Sequence, residues 1–228
     1  WNQLGADIDG EAAGDALGYK LSLSSDGTRV AIGAIQNDGG GTASGHVRIY
    51  EYSGSSWSQL GADIDGESAG DNAGFDVALS RDGTIVAVGA WKDDGNGTDS
   101  GHTRMFEYNG SSWTQLGSDI DGEVAGDKSG KALSLSTDGT IVAIGTNLND
   151  DNGNNAGHVR IYGYNGSSWT QLGSDIDGVI ANDKTGKSVS LSSDGTIVAI
   201  GADDHDTYAG PARISADHGS SWSQVGAD

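Results

Sequence analysis

A short tryptophan-led motif returns at a fixed distance along the chain and limits the fold more than any other feature. The motif reads Trp-x-Gln-Leu-Gly and begins at Trp1, Trp57, Trp113 and Trp169, so each copy starts 56 residues after the one before. A fifth copy, Trp-Ser-Gln-Val-Gly, begins at Trp222 after a shorter step of 53 residues. A fixed period of this size indicates a repeat architecture, in which each unit buries its apolar surface against its neighbours.

Each repeat contains four short segments with the pattern of β-strands. In the second repeat, residues 75–80 alternate between two faces, which is the period of a strand. Residues 84–90 form a continuous apolar run rich in β-branched residues, as expected of a strand buried on both faces. A polar loop, a third strand at 101–108, an Asn-Gly turn and the tryptophan strand complete the unit.

Four-stranded units of this length favour an all-β fold, a β-propeller with four repeats of four-stranded antiparallel blades. The first strand of each unit then lies nearest the central channel and the tryptophan strand lies outermost. An arc of a larger propeller and a β-solenoid are the alternatives. We assign residues 1–228 to a single repeat domain, with blade repeats at about 19–61, 75–117, 131–173 and 187–226.

The outer strand of the fourth blade has two candidates, because the tryptophan segment occurs five times and the other strands four times. Residues 222–226 reach this blade through a short loop, whereas residues 1–5 would close a loop of about 200 residues. Loop-closure entropy favours the local strand by about 3 kcal/mol, so residues 1–5 are expected to be an extra outer strand. The fourth repeat also has a shorter loop at 203–209 and Pro211, which cannot donate to a strand ladder.

The overall charge excludes several classes of partner. The chain has 33 acidic and 12 basic residues, a net charge of −21, which opposes binding to nucleic acid or anionic lipid. It has no cysteine, so disulfides and cysteine-based metal sites are excluded. No apolar run approaches the roughly 20 residues that span a bilayer, and we expect no membrane insertion. The sequence begins without an initiator Met or a signal peptide and is expected to be a mature or excised piece.

The acidic residues are concentrated in the loop between each tryptophan strand and the next blade. In the first three loops Asp, Asp, Glu and Asp stand at relative positions one, three, five and nine, and in the fourth Val179 replaces the Glu. Calcium takes about six to eight hard oxygens, and alternate carboxylates around a glycine can supply several. The candidate metal ligands are Asp7, Asp9, Glu11, Asp15, Asp63, Asp65, Glu67, Asp71, Asp119, Asp121, Glu123, Asp127, Asp175, Asp177 and Asp183. The alternative is that these side chains bond backbone amides in ordinary turns.

Two further groups of polar residues recur in the repeats. The polar loop carries Asn37-Asp38, Asp93-Asp94 and Asn149-Asp150-Asp151, a second candidate ion loop with less regular spacing. His46, His102 and His158 each precede a third strand. One histidine per blade excludes a metal shared between histidines, so we expect these side chains to make structural hydrogen bonds, with a metal-ligand role as the alternative. The arginine two residues further on is expected to pair with an Asp of a neighbouring blade.

Three segments of the second repeat carry a family resemblance that extends to all four repeats. Residues 74–80 (Gly-Phe-Asp-Val-Ala-Leu-Ser), 85–90 (Ile-Val-Ala-Val-Gly-Ala) and 101–106 (Gly-His-Thr-Arg-Met-Phe) resemble the FG-GAP repeats of integrin α-subunit propellers. The resemblance implies a seven-bladed propeller used outside the cell for adhesion, often with calcium between the first and second strands. At that place this chain carries Ser24-Ser-Asp-Gly-Thr28, without the Asp-x-Asp-x-Asp ligand loop.

No enzyme signature accompanies the repeats. The sequence has no Gly-x-Ser-x-Gly elbow and no cluster that breaks the repeat, whereas catalysis needs one asymmetric constellation. We therefore predict a non-enzymatic extracellular or cell-surface binding or adhesion module, with Ca²⁺ as the candidate cofactor and a protein or glycan as ligand. The first alternative is a structural protein that self-associates into a surface layer or filament, and the second is a glycan-active hydrolase. The tryptophans are expected to pack the outer strands, with sugar stacking as the alternative.

Overall fold

The computed structural model describes residues 1–203, 211–217 and 221–226. All regular secondary structure in these residues is β-strand, arranged in four antiparallel sheets that we call blades 1 to 4. Blade 1 contains β1 (Leu17–Leu23), β2 (Arg29–Ala34), β3 (His46–Tyr52), β4 (Trp57–Gln59) and β5 (Ile64–Asp65). Blade 2 contains β6 (Asp76–Leu79), β7 (Ile85–Ala90), β8 (His102–Tyr108), β9 (Trp113–Gln115) and β10 (Ile120–Asp121).

The other two blades repeat this order. Blade 3 contains β11 (Ala132–Leu135), β12 (Ile141–Thr146), β13 (His158–Tyr164), β14 (Trp169–Gln171) and β15 (Ile176–Asp177). Blade 4 contains β16 (Ser188–Leu191), β17 (Ile197–Gly201), β18 (Ala212–Asp217) and β19 (Trp222–Gln224). The prediction of an all-β propeller built from four-stranded antiparallel blades is confirmed.

Within a blade the strands follow the chain from the inside outwards. In blade 1 the order is β1-β2-β3-β4, and the short β5 pairs with the same strand as β4, so that Trp57 faces Tyr52 and Asp65 faces His46. The ends of the four inner strands line one cleft of about 310 Å³ that includes Leu23 and Leu191, which places them around a common channel. The acidic loop is thus not wholly irregular, because its second Asp lies in a strand opposite the histidine.

The hydrophobic core lies between blades rather than inside one. Ala31, Val47 and Ile49 of blade 1 pack against Val86 and Val88 of blade 2, and all five are buried. The same packing recurs between blades 2 and 3 and between blades 3 and 4. Burial of one Val or Ile side chain is worth about 1.5–3 kcal/mol, so contact between repeats supplies most of the apolar stabilisation.

Glycines allow the blades to approach closely at one point of each interface. A Cβ atom on Gly33 would overlap the carbonyl oxygen of Gly74 in the next blade. The same pair recurs as Gly89 with Gly130 in the next interface. A side chain at these positions would force the blades apart, because nothing flexible can move away from it.

Each tryptophan side chain of an outer strand forms a hydrogen bond with the preceding unit. Trp57 packs on Tyr52 with ring centroids 5.1 Å apart, and its Nε1 donates to the Leu4 carbonyl oxygen at 2.8 Å. Trp113 donates in the same way to the Leu60 carbonyl at 2.7 Å, and Trp169 and Trp222 repeat the contact. The predicted packing role of the tryptophans in β4, β9, β14 and β19 is confirmed.

The outer position of blade 4 is filled by the local strand. β19 pairs with β18 through Trp222 and Asp217, as the loop-closure argument predicts. Residues 1–5 form no strand, although Leu4 supplies the carbonyl that Trp57 binds. Of the shortened loop predicted at 203–209, residues 204–209 lie outside the described residues.

The inner strands contact one another in chain order, β1 with β6, β6 with β11 and β11 with β16. At their ends, backbone N–H groups donate from Ser25 to Arg81, from Arg81 to Thr137 and from Thr137 to Ser193. No described residue donates to the Ser25 carbonyl to continue this series. Within the described part of the chain, the blades therefore form an open series rather than a closed ring.

The two ends of this series leave apolar surface uncovered. Leu21 of blade 1 is 61 % exposed, whereas Val77, at the same position in blade 2, is 5 % exposed. Ile214 of blade 4 is 46 % exposed, whereas its counterpart Ile49 is fully buried. Each of these two blades thus presents one face that is covered in every interior blade.

Candidate metal centres between the blades

The candidate site lies at the start of each third strand, where the acidic loop before a blade meets the acidic loop after it. In blade 1, His46 Nδ1 lies 3.9 Å from Glu11 Oε2 of the preceding loop. It lies 3.5 Å from Asp63 Oδ2 and 4.0 Å from Asp65 Oδ1 of the following loop. The carboxylates of one acidic loop were predicted to bind one ion together. In the structure they are divided between the histidines of two successive blades.

Three such groups occur, and we call them centres 1, 2 and 3. Centre 1 comprises Glu11, His46, Asp63 and Asp65. Centre 2 comprises Glu67, Asp93, His102, Asp119 and Asp121. Centre 3 comprises Glu123, Asp151, His158 and Asp175. In each centre the ligand atoms of the His, the Glu and the first Asp of the following loop lie within 4.8 Å of one another.

The histidines of the three centres are buried, with side chains no more than 2 % exposed. Among the described residues, neither ring nitrogen of His46 or His158 has a hydrogen-bond partner, and Nε2 of His102 also has none. A buried polar group without a partner costs about 1–3 kcal/mol. The expected structural hydrogen bond is found at His102, whose Nδ1 lies 3.2 Å from Asp93 Oδ1. At His46 and His158 the expectation is wrong, because the nearest carboxylate oxygen lies 3.5 Å from Nδ1 and makes no hydrogen bond with it.

Burial sets the protonation of these groups. Desolvation lowers the pKa of His46 and His158, so both imidazoles are neutral and keep a lone pair for a ligand. Desolvation, and then neighbouring carboxylates, raise the pKa of Asp65 and Asp121. A cation among these side chains would relieve the repulsion between carboxylates and satisfy the imidazole nitrogen.

The arginine on the same strand offsets part of the negative charge. Arg48 Nη2 donates to the Asp9 carbonyl oxygen at 2.9 Å, and Nη1 lies 3.7 Å from Glu11 Oε1. The expected pairing with an Asp carboxylate is thus replaced by a backbone bond and a Glu. Three carboxylates and one guanidinium leave centre 1 with two net negative charges, which one divalent cation would neutralise.

The remaining acids of the loops do make turns. Asp15 Oδ2 accepts from the Ala12 backbone N–H at 2.9 Å and from Asn37 Nδ2 at 3.1 Å, and these bonds lower the pKa of Asp15. Asp71, Asp127 and Asp183 are buried at the equivalent place and accept backbone bonds in the same way. Asp7 accepts from Gln3. The turn interpretation therefore holds for the last acid of each loop, and the ligand interpretation fits the acids of centres 1 to 3.

The described part of blade 4 lacks the centre. Val179 stands where the other loops have Glu, and Pro211 stands where the other third strands have His. Arg213 is nevertheless retained, and its Nη2 donates to the Asp177 carbonyl oxygen at 2.9 Å. Asp177 lies opposite His158 in the blade 3 ladder, beside centre 3.

Sequence reasoning separated residues that the structure brings together. Asp93 and Asp151 of the polar loop join the histidines, which were assigned to neither ion loop. A signal was present in the spacing: a His follows each loop Glu by 35 residues in three repeats, and both residues are replaced in the fourth.

The fold, rather than the sequence, connects this chain with known proteins. It is similar to a TolB described from Agrobacterium tumefaciens (TM-score 0.54, 12 % identity, 92 % of this chain and 61 % of that one). It is also similar to the Kuenenia stuttgartiensis hydrazine synthase (TM-score 0.55, 11 % identity, 92 % and 54 %) and to the Dos1 propeller (TM-score 0.54, 12 % identity, 92 % and 48 %). The sequence matches no protein-family model and no curated protein.

These similarities show a β-propeller fold and nothing finer, and the FG-GAP assignment stays a resemblance. The chain spans about half to three fifths of the length of the solved structures it matches. Among the described residues, no helix is long and apolar enough to cross a membrane.

Proposed function

We propose that the protein is a non-enzymatic extracellular binding module whose blades are tied together by divalent cations at centres 1 to 3. The observation that carries this proposal is a buried imidazole that faces carboxylates from two successive loops, repeated in three blades. Among the described residues, the imidazoles of His46 and His158 have no hydrogen-bond partner, and that of His102 is bonded only through Nδ1 to Asp93. An ion there would join residues on both sides of a blade. It would supply charge neutralisation and cross-linking.

The donor set fits more than one cation. The carboxylate oxygens suit Ca²⁺, the ion predicted from the sequence, whereas an imidazole nitrogen suits Zn²⁺ and other first-row ions. In centre 1, His46, Glu11 and Asp63 would hold the ion. The adhesion role rests on the FG-GAP resemblance, and fold alone does not fix function.

Thermal melting with chelator and with added Ca²⁺, Mg²⁺ or Zn²⁺ tests the proposal. At 100 times its dissociation constant, one bound ion adds about 2.7 kcal/mol of stability. The double variant Glu11→Gln with Asp63→Asn should lose part of this response. Asp9→Asn is the matched control, because Asp9 contributes a backbone carbonyl to Arg48 and lies outside the centre. A wild-type midpoint that none of these ions or the chelator moves would refute the cation centres.

The open faces of blades 1 and 4 favour a second function, self-assembly. Ile214 occupies the place that Ile49 fills when it packs on the next blade, and Leu21 occupies the place of the buried Val77. Blade 4 of one molecule therefore matches blade 1 of a second copy, which is a head-to-tail contact.

Sedimentation at rising concentration tests self-assembly. The wild-type mass should grow with concentration, whereas Leu21→Glu and Ile214→Glu should each stay monomeric. A mixture of the two variants retains one intact pair of faces and should stop at dimers. A wild-type chain that remains monomeric throughout would rule out this second function.

A further inference from the structure

One cluster at the mouth of the central channel breaks the repeat. The four equivalent positions at the start of the inner strands are Tyr19, Phe75, Lys131 and Lys187. Two are aromatic and two are basic, although most of the surrounding pattern is shared. Since the inner strands lie side by side, these four side chains gather at one end of the channel.

The aromatic members form a continuous row. The ring centroids of Tyr19 and Phe75 are 5.1 Å apart, and those of Phe75 and Trp91 are 5.3 Å apart. The ammonium groups of Lys92, Lys128 and Lys131 lie 4.8, 4.5 and 4.7 Å from the Trp91 ring centroid, at cation–π distance.

The basic members concentrate positive charge in a strongly acidic protein. Five of the six lysines of the chain lie in this cluster: Lys20, Lys92, Lys128, Lys131 and Lys187. Lys128 pairs with Asp99 at 3.7 Å and Lys187 with Asp203 at 3.4 Å. Lys131 has no ion-pair partner among the described residues, and burial together with Lys128 and Lys187 lowers the pKa of Lys131 to about 8.

These side chains enclose a pocket of about 270 Å³, lined by Tyr19, Lys20, Phe75, Lys131, Asn147 and Lys187. Asn147 is 4 % exposed, and its Oδ1 has no hydrogen-bond partner in the part of the chain that the structure describes. The lining combines two aromatic rings with four convergent polar side chains, and a few polar groups of this kind fix the orientation of a ligand in a small-molecule site. Its volume suits one six-membered ring.

We infer that this pocket binds a ring that carries a carboxylate. The carboxylate pairs with Lys131 and Lys187, the apolar face of the ring packs on Phe75 and Tyr19, and a hydroxyl donates to Asn147 Oδ1. An acidic sugar makes all three contacts, whereas an aromatic acid such as benzoate makes the first two. The inference rests on the proposed binding module and names the class of its ligand.

Calorimetric titration of the full chain tests the inference with three probes: tri-galacturonate, the neutral galactotriose and benzoate. We expect tri-galacturonate or benzoate to bind, and galactotriose to bind at least about tenfold more weakly, a difference of about 1.4 kcal/mol. Binding of only tri-galacturonate identifies an acidic sugar, and binding of only benzoate identifies an aromatic acid. Failure of both anions to bind, or equal binding of galactotriose, would overturn the inference.

Four variants locate the binding. Lys131→Gln and Phe75→Leu should each weaken binding of the anionic probe about tenfold, with an unchanged melting midpoint as evidence of folding. Lys184→Gln, which alters the lysine outside the cluster, should leave affinity unchanged. Wild-type affinity in a folded Lys131→Gln or Lys187→Gln chain would place the binding elsewhere. A melting midpoint that no cation moves would refute centres 1 to 3, whereas a calorimetric titration without anion binding would refute this pocket. The two failures are therefore distinguishable.

Discussion

Blades 1 to 3 and blade 4 share one strand pattern but differ at the interblade centre, and the difference separates what the fold requires from what the centre requires. Arg160 donates to the Asp121 carbonyl at 2.7 Å, and Arg213 makes the same bond to Asp177. The Arg–carbonyl contact therefore belongs to the fold. The Glu and the His are lost together in blade 4, so they behave as one unit that the fold can do without.

The joint loss also has a physical reason. A Glu without its His, or a buried His without its carboxylates, leaves a polar group poorly compensated. Val179 and Pro211 remove both halves at once. The described part of blade 4 consequently has no Glu–His pair that a cation would bridge.

The largest difference is expected at the close approach between blades. Gly89→Ala would place a Cβ against the Gly130 carbonyl oxygen and should cost about 3 kcal/mol. Gly201→Ala in blade 4 meets the flexible Ser188 side chain instead, and should cost less than half as much. Urea unfolding of both variants measures the difference. Equal losses would show that blade 4 is packed as tightly as the interior blades.

The second prediction concerns the number of bound ions. The wild-type chain should bind three divalent ions, and His102→Gln should bind two and lose about 2.7 kcal/mol of cation-dependent stability at 100 times the dissociation constant. In chelator the same variant should be about as stable as wild type, because loss of the His102–Asp93 hydrogen bond offsets removal of the buried Nε2 that has no partner among the described residues. Equilibrium dialysis with metal analysis gives the count. An unchanged count of three in a folded His102→Gln chain would contradict the assignment of centre 2.

A smaller effect is expected for the arginines that all four blades retain. Arg160→Met removes a buried charge-assisted hydrogen bond and should cost about 2 kcal/mol. Arg213→Met removes the same bond from a more exposed place and should cost under about 1 kcal/mol. Denaturant unfolding in chelator isolates these values from cation binding. If Arg213→Met is the more damaging change, the contact is not a property of the fold.

The smallest effect is expected at the Ser-x-Asp-Gly-Thr turn that all four blades share. Asp26 Oδ1 accepts from the Thr28 backbone N–H, the Ser24 hydroxyl and the Thr28 hydroxyl, and these bonds lower the pKa of Asp26 to about 2. The pKa of Asp194 is lowered to about 2 by the same arrangement in blade 4, with the Ser192 hydroxyl as the main cause. Since the folded pKa lies below the ordinary value of 3.8, this contribution is complete above pH 3.8 and is lost as the pH falls through about 2.

Melting between pH 5 and pH 2 follows this loss. Asp26→Asn and Asp194→Asn should flatten the pH dependence by similar amounts, because the turn does not distinguish blade 1 from blade 4. A much larger flattening at one end would mean that the two turns differ in the folded state.

The strand plan could be predicted from the sequence because its signals are local. The alternation at 75–80, the apolar run at 84–90 and the 56-residue period together predict the blade and its strand order. The place of β19 followed from loop-closure entropy alone. These inferences depend on neighbours along the chain, which a sequence shows directly.

The sites could be predicted only in part because their residues meet across the fold. The acidic loops were identified, but the strand β5 that sets Asp65 against His46 is only two residues long, too short for a periodic signal. The channel pocket was missed for a different reason. Tyr19, Phe75, Lys131 and Lys187 differ where the repeats otherwise agree, yet only the shared channel shows that the four belong together.

The bond from each tryptophan to the unit before it has a mechanical consequence. Trp57 donates to the Leu4 carbonyl and Trp113 donates to the Leu60 carbonyl. A 56-residue repeat counted from one tryptophan to the next therefore begins with the outer strand of one blade and continues into the following blade. A force applied at the two ends would break these fastenings one after another, since each repeat contacts mainly its neighbours. Each rupture would release 56 residues, or 53 in the last repeat, which is roughly 190 Å of extended chain. A molecule stretched between two surfaces would therefore lengthen in even steps and dissipate the load one blade at a time.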